Sequence, residues 1–288
     1  LYLFVVPALI YLLLYCYYPM YGVQIAFKNF RVTKGIAGSE WVGLEHFRKF
    51  FSNPSCRALI KNTLVISLYS LVVGFPLPII FALTLNEVAP GRYKKLVQTV
   101  SYAPHFISTV VMVSMLTMFL NADNGIFNKI VETLGGPRVD YMSKANLFPT
   151  VYVLSGVWQS LGWSSVIYLS ALSGIDTGLH EAAMIDGASR LQRILHINLP
   201  GILPTAIIMF ILDVGQVMNM GFEKVFLMQN AQNTETSQVI STFVYEAGLI
   251  NSDYGFSTAI GLFNNIINIV LLLTVNKIAK KISDTSLF

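Results

Sequence analysis

Between Gly178 and Pro200 the chain reads GLHEAAMIDGASRLQRILHINLP, set between two long apolar runs. The stretch predicts two short helices with a bend between them. Asp176 or Thr177 is a suitable N-cap for the first, because a short oxygen-bearing side chain accepts from the free N–H groups of a first turn. Glu181 then falls in that first turn, where the helix dipole favours an acid. Gly187 weakens helical continuity and permits a bend. The second helix is expected to run to about Ile197. Pro200 would start the next apolar run, where its missing N–H costs nothing. Ala182, Ala183, Gly187 and Ala188 leave little side-chain bulk, so another protein could approach the backbone closely. The competing reading is a helix pair lying on a membrane surface, which normally carries bulky apolar anchors. The stretch has no Trp or Phe.

The flanking runs set the solvent. Of 288 residues, 54% are hydrophobic and only 12% charged, about half the charged share of a soluble domain. A bilayer core needs about 20 mainly apolar residues per helix. Six stretches qualify: Leu1–Phe27, Asn62–Leu85, Pro104–Leu120, Leu147–Leu172, Gly201–Met220 and Phe256–Val275. They are continuously apolar, without the alternation of barrel strands. The expectation is an all-α polytopic membrane protein with six transmembrane helices, forming a single transmembrane domain over residues 1–288. Pro76, Pro78, Pro104, Pro149 and Pro204 are expected to kink or start helices, as neighbouring helices can re-satisfy the freed carbonyls. The chain begins at Leu1 without methionine, which reads as a trimmed N-terminus and not as a signal peptide.

Charge leaves orientation open. With both termini inside, Arg92, Lys94 and Lys95 crowd one short inner loop, and Lys277, Lys280 and Lys281 follow the last span. The outer face then holds Lys28, Arg31, Lys34, Arg48, Lys49, Arg57 and Lys61 between the first two spans. Density favours this topology; a raw count opposes it. The net charge of +4 is spread between the runs, giving nucleic-acid binding little support.

Catalytic signatures are missing. No G-x-x-x-x-G-K-[ST] phosphate loop occurs, nor a G-x-S-x-G nucleophile turn. His46, His105, His180 and His196 lack metal-ligand spacing, and Cys16 and Cys56 form no C-x-x-C or disulfide framework. No catalytic residue, metal site or cofactor is expected in this chain. A rival class, an ion-gradient-driven secondary carrier or channel for a polar solute, would place several ionisable groups within its spans; Asp213 is the clear example here.

The loop resembles the signature of permease subunits of ABC importers: E-A-A, three residues, G, nine residues, I-x-L-P. It is matched by Glu181, Ala182, Ala183, Gly187, Ile197, Leu199 and Pro200. The added Asp186-Gly187-Ala188 and Pro204 resemble the carbohydrate-uptake branch. Pro19-Met20-Tyr21-Gly22, Ile25-Ala26-Phe27-Lys28, Pro104-His105-Phe106-Ile107-Ser108 and Gly221-Phe222-Glu223 are similar to the polysaccharide, alginate or lipo-oligosaccharide permeases of that branch. The resemblance implies the type I importer permease fold in a bacterial inner membrane, with both termini cytoplasmic. It implies that residues 178–200 form a cytoplasmic coupling loop, whose Glu181, Ala182, Ala183, Asp186, Gly187, Ile197, Leu199 and Pro200 engage an ATPase. The implied partners are two ATPase subunits holding ATP and magnesium, a second permease in a heterodimer, and an extracytoplasmic solute-binding protein. The loop would then act as a lever.

Sugars are held by hydrogen bonds to amides and carboxylates and by aromatic faces. Candidate pathway residues are Trp158 and Gln159 (followed by Trp163), Asp213, Gln216 and Asn219 at helical spacing, and Asn264, Asn265 and Asn268. Such side chains also bond helix to helix within membranes. The polar segment Phe222–Tyr254, with Asn230, Gln232 and Asn233, is expected to face outward, either touching the binding protein or forming a solvated loop.

Overall fold

A computed structural model describes residues 2–283. Leu1, where the first apolar run begins, and residues 284–288 lie outside the described residues. The chain is mostly helical. α1 (Tyr2–Tyr11) continues helically so that Val5–Phe27 makes an apolar stretch of 23 residues. A small antiparallel pair follows, β1 (Lys28–Asn29) against β2 (Glu40–Trp41) in the register Lys28↔Trp41, then α2 (Glu45–Phe51). α3 (Cys56–Gly74) and α4 (Pro76–Asn86) together form a second apolar stretch of 31 residues. Its break falls at Phe75, and Pro76 begins α4, where no amide is required.

The third run departs from expectation. Instead of one helix over Pro104–Leu120, α5 (Arg92–Tyr102) continues to Phe106, and α6 (Thr109–Phe119) leaves at a bend of 103°. Ile107 is extended and Ser108 caps α6 by accepting from the Val111 amide at 3.4 Å. The Ile107 carbonyl freed at the bend accepts from Gln159 Nε2 at 2.8 Å. α7 (Ile126–Thr133) precedes α8 (Phe148–Ser173), a 26-residue helix whose serines and glycines dilute its apolar character. The loop follows as α9 (Thr177–Ile185) and α10 (Arg190–Arg193), then α11 (Leu199–Gly215), α12 (Phe222–Met228), α13 (Ile240–Tyr245) and α14 (Tyr254–Ser283). Among the described residues, four stretches are long and apolar enough to cross a membrane, or five with the bent pair.

By contacts the chain divides into two compact units. Residues Leu1–Lys61 and Gln238–Ile267 form one. In it Phe27 stacks on Trp41, with ring centres 5.7 Å apart, and Lys49 pairs with Asp253 at 2.7 Å. Residues Asn62–Ser237 and Asn268–Phe288 form the other. Its core joins Ala82 and Leu83 of α4, Tyr168 and Leu172 of α8, and Ile202 and Ala206 of α11. In lipid such contacts are favoured by van der Waals packing, so small residues that permit close approach are valuable.

Gly162 on α8 is the tightest such approach, because a Cβ there would overlap the Ser101 carbonyl of α5. Gly162→Ala is expected to cost about 1–3 kcal/mol through forced backbone movement, read as a lower thermal midpoint of the detergent-solubilised protein. Gly261→Ala, whose Cβ would meet nothing within 4 Å, serves as the neutral control.

Candidate functional site

The loop begins where Asp176 caps α9, its carboxylate accepting from the Gly178 amide at 2.9 Å. Because Asp176 is the cap and Thr177 the first helical residue, Glu181 sits in the second turn, not the first as the sequence suggested. The turn closes through Gly187, whose φ of +78° belongs to the left-handed region that side chains disfavour. Ser189 then restarts the helix with a capping box. Its hydroxyl accepts from the Gln192 amide, and the Gln192 side chain accepts from the Ser189 amide at 2.7 Å. Glu181, Ala182, Asp186 and Gly187 are exposed; Ala183 is half-buried. The loop also exposes apolar bulk that the sequence reading passed over: Ile185, 87% exposed, stands beside Asp186, with Met184 and Leu191 close in sequence.

The second helix does not stop near Ile197. It runs through a π-helical turn, Ile194–Asn198, directly into α11, so that Arg190–Gly215 is one helical stretch of 26 residues. The wide turn, in which the Leu199 amide donates to the Ile194 carbonyl, absorbs the missing donor of Pro200. Ile197 and Leu199 are half-buried, while Pro200 is exposed. Ile175, Ile194 and Leu199 at the base of the loop pack onto the core formed by α4, α8 and α11. Gly201 allows this approach, since a Cβ there would lie 2.5 Å from Ile175 Cδ1.

At the far end of the same stretch lies a cavity of about 330 Å³. Asp213, Gln216 and Asn219 line it, together with Tyr152, Ser160 and Ser164 of α8 and Ser67 and Ser70 of α3. Asp213, Gln216 and Asn219 do not share a helix face as their spacing suggested. α11 ends at Gly215, which packs against Leu272, and Asn219 arrives by a turn, its amide donating to Gln216 Oε1 at 2.9 Å. The Asp213 carboxylate accepts no hydrogen bond from the described residues. Ser160 spends its proton on the Gly156 carbonyl at 2.7 Å, leaving its lone pairs for a ligand hydroxyl. The wall is thus rich in acceptors and amides, chemistry suited to a neutral polyhydroxylated molecule.

Other sequence candidates lie elsewhere. Trp158 lines an apolar groove of about 680 Å³ with Met112, Phe119 and Ile130. Gln159 braces the α5–α6 bend. Asn268 is buried, its Oδ1 accepting from the Met218 amide at 3.0 Å; Asn264 and Asn265 are on the same helix, half-buried and exposed. Trp163, one turn after Gln159 on α8, presents a half-exposed ring stacked on His105 at the α5–α6 bend, 4.6 Å between centres and 4° from parallel. The cavity serines were legible as an i, i+4 pair in the helix, although the sequence reading did not use them.

Asn233 is neither solvated nor free to touch a partner. It is fully buried, and its amide donates to the Met142 and Met228 carbonyls at 2.9 and 3.0 Å. Lys224 was also missed. It lies on α12 beneath Tyr152, donating to that residue's carbonyl at 2.7 Å, and burial pushes its ammonium down to about 7.

A family model described as binding-protein-dependent transport system inner membrane component matches residues 74–284. The chain is similar to the polygalacturonan/rhamnogalacturonan transport system permease protein YteP of Bacillus subtilis (strain 168): 41% identical over 288 residues, covering 100% of this chain and 90% of that protein. It is also similar to the arabinooligosaccharides transport system permease protein AraP of the same organism, 26% identical and covering 99% of this chain and 88% of the relative. Among solved structures it is similar to a chain of a bacterial alginate ABC transporter in complex with an alginate pentasaccharide-bound periplasmic protein. There the identity is 36% and the TM-score 0.92, over 99% of this chain and 96% of that one.

Because the Lys224 pKa is lowered in the folded state, the folded chain binds fewer protons than the unfolded one between about 7 and the ordinary lysine value. Stability is therefore expected to rise with pH across that window and to be lowest below it. Thermal scans of the purified protein at pH 6 to 10 check this, and Lys224→Met is expected to flatten the dependence.

Proposed function

This chain belongs to the binding-protein-dependent transport system inner membrane components, and from that premise we propose that it forms one half of the membrane path of an ATP-driven importer of oligo- or polysaccharides. It is a permease subunit and not an enzyme. Family membership sets aside the ion-gradient-driven carrier. On this reading ATP and magnesium belong to two ATPase subunits, a second permease completes a heterodimer, and an extracytoplasmic binding protein delivers the sugar. The 26-residue α8 and the bent α5–α6 pair complete six spans, with both termini and the loop on the cytoplasmic side. Residues 1–288 then act as a single transmembrane domain.

The observation that carries the proposal is the unbroken helix from Arg190 to Gly215. At 1.5 Å per residue it spans roughly 39 Å, more than a hydrocarbon core of about 30 Å. One end emerges from the capped Glu181–Gly187 turn; the other carries Asp213 into the polar cavity. The ATPase would grip Glu181, Ala182, Ala183, Asp186 and Gly187, with Ile185 as an apolar knob. Ile197, Leu199 and Pro200 form the root of the lever. Displacing the loop moves the rod and, through the shared core, α8 and α4. The cavity walls therefore shift together.

In the cavity, Asp213, Gln216 and Asn219 with the α8 serines would bond sugar hydroxyls. The Trp163 ring, steadied by His105 at the α5–α6 bend, would stack on an apolar sugar face elsewhere along the path. Asn268 would hold the rim through Met218. Trp158 and Gln159 would shape the path from their positions on α8, and Asn264 and Asn265 remain separate candidates on α14.

Two outcomes test this. Gly187→Val places a branched side chain at φ +78° and is expected to abolish uptake by the reconstituted importer while sugar affinity of the binding protein persists. Retained uptake with normal ATPase association would refute the lever. Asp213→Ala removes a charged hydrogen-bond acceptor, usually a contribution of about 1.5–3 kcal/mol. Uptake is expected to fall roughly ten- to hundredfold, with ATPase subunits still bound, as measured with radiolabelled oligosaccharide in proteoliposomes.

A further inference from the structure

Lys224 is poorly explained by stability. It occupies the third position of α12 (FEKVFLM), whose Val225 and Met228 are buried. Its Nζ donates to the Tyr152 carbonyl at 2.7 Å and lies 4.5 Å from the centre of the Tyr152 ring. The seat is shaped by Gly156, one turn further along α8, where a Cβ would come within 3.1 Å of Nζ. No carboxylate among the described residues pairs with it. An ammonium so held has given up much of its hydration for one carbonyl and one ring face, an expensive exchange. A methionine would fill the same space without that cost. What the lysine adds is direction and reversibility. Its charge regains hydration if the side chain swings away on its flexible four-carbon stem.

The bond spans a consequential gap. Tyr152 and Gly221 both line the polar cavity. Gln216 to Gly221 form its rim between α11 and α12, and α12 begins at Phe222. Gly221 also lies against Tyr152, since a Cβ on it would meet the phenol oxygen at 3.7 Å. α12 packs along α6, so the tie from Lys224 across to α8 sets how closely the rim is drawn over the cavity.

We propose that Lys224 is a positioning residue that latches the Gln216–Gly221 rim and α12 onto α8, and that release of its bond to the Tyr152 carbonyl opens this end of the cavity. The latch rests on the reading of that cavity as the sugar path. Losing the bond is offset by rehydration of the ammonium, so closed and open arrangements lie close in free energy and a modest displacement of the Arg190–Gly215 rod selects between them.

The test uses the assembled importer in proteoliposomes, with Cys16 and Cys56 replaced by serine and Ser160→Cys as a reporter inside the cavity. A membrane-impermeant maleimide measures access. Without nucleotide, Lys224→Met is expected to speed labelling several-fold. Lys224→Arg, which keeps a charged donor for the same carbonyl, is expected to return the rate toward that of the parent. Should Lys224→Met not assemble with its partners, Lys224→Gln is read the same way. A parent-like rate in the assembled Met or Gln variant overturns the latch, and so does an Arg variant as fast as Met. If the reporter is never labelled in any nucleotide state and is indifferent to sugar-loaded binding protein, the sugar-path reading falls and the latch with it. A parent labelled and protected by sugar, with Lys224→Met unchanged, defeats the latch alone.

Discussion

The continuity of Arg190–Gly215 past Pro200 is the constraint on which the rest of this molecule depends, and in the proposed lever it is what would let the helix carry force. Proline removes one amide and crowds the preceding turn, which ordinarily breaks or bends a helix. Here the turn widens to π geometry over Ile194–Asn198, so the carbonyls find other donors and the axis continues. The loop is firm on both sides of Gly187 because Asp176 and the Ser189–Gln192 capping box satisfy the amides at each helix start. In the proposed lever a flexible connection would dissipate displacement, whereas capped helices around one left-handed glycine would transmit it.

The Arg190–Gly215 helix packs against more than the loop. Its base is packed into a core shared with α4 and α8, with Gly201 allowing Ile175 to press against the helix. Its tip ends where Gly215 meets Leu272 and the chain turns through Gln216 and Asn219. Buried asparagines work as backbone braces. Asn268 holds the Met218 amide, and Asn233 ties Met142 to Met228. Burial leaves no water to satisfy such groups, so each brace is needed where the chain leaves regular helix. Asp213 and Ser160 remain exposed on the cavity wall.

The sequence was most legible where chemistry is local. The N-cap aspartate, the glycine bend and the small-residue surface of the loop follow from neighbouring residues alone, and the apolar runs announce a membrane protein. It misled where a residue admits two local outcomes. Pro200 looked like a helix start, because the π-turn that rescues continuity leaves no compositional mark. Gln159 and Asn233 looked like ligand or surface groups, yet one supports the carbonyl freed at the α5–α6 bend and the other is sealed inside a turn. Lys224 passed unnoticed because its partner is a backbone carbonyl on another helix.

Composition, run length and the spacing from Glu181 to Pro200 were enough to determine the environment of this protein, its helical class and its family. Those properties depend on solvent and on contacts within a few residues, which a linear reading contains. Which polar groups share one cavity, where the third run bends by 103°, and how the loop connects to Asp213 were decided only in three dimensions. The first two depend on a carbonyl, an amide or a gap contributed by a helix distant in the chain, and the third on a π-turn that composition does not reveal. A membrane interior forces every such group to find a partner, but it does not write the partner's address into the local sequence.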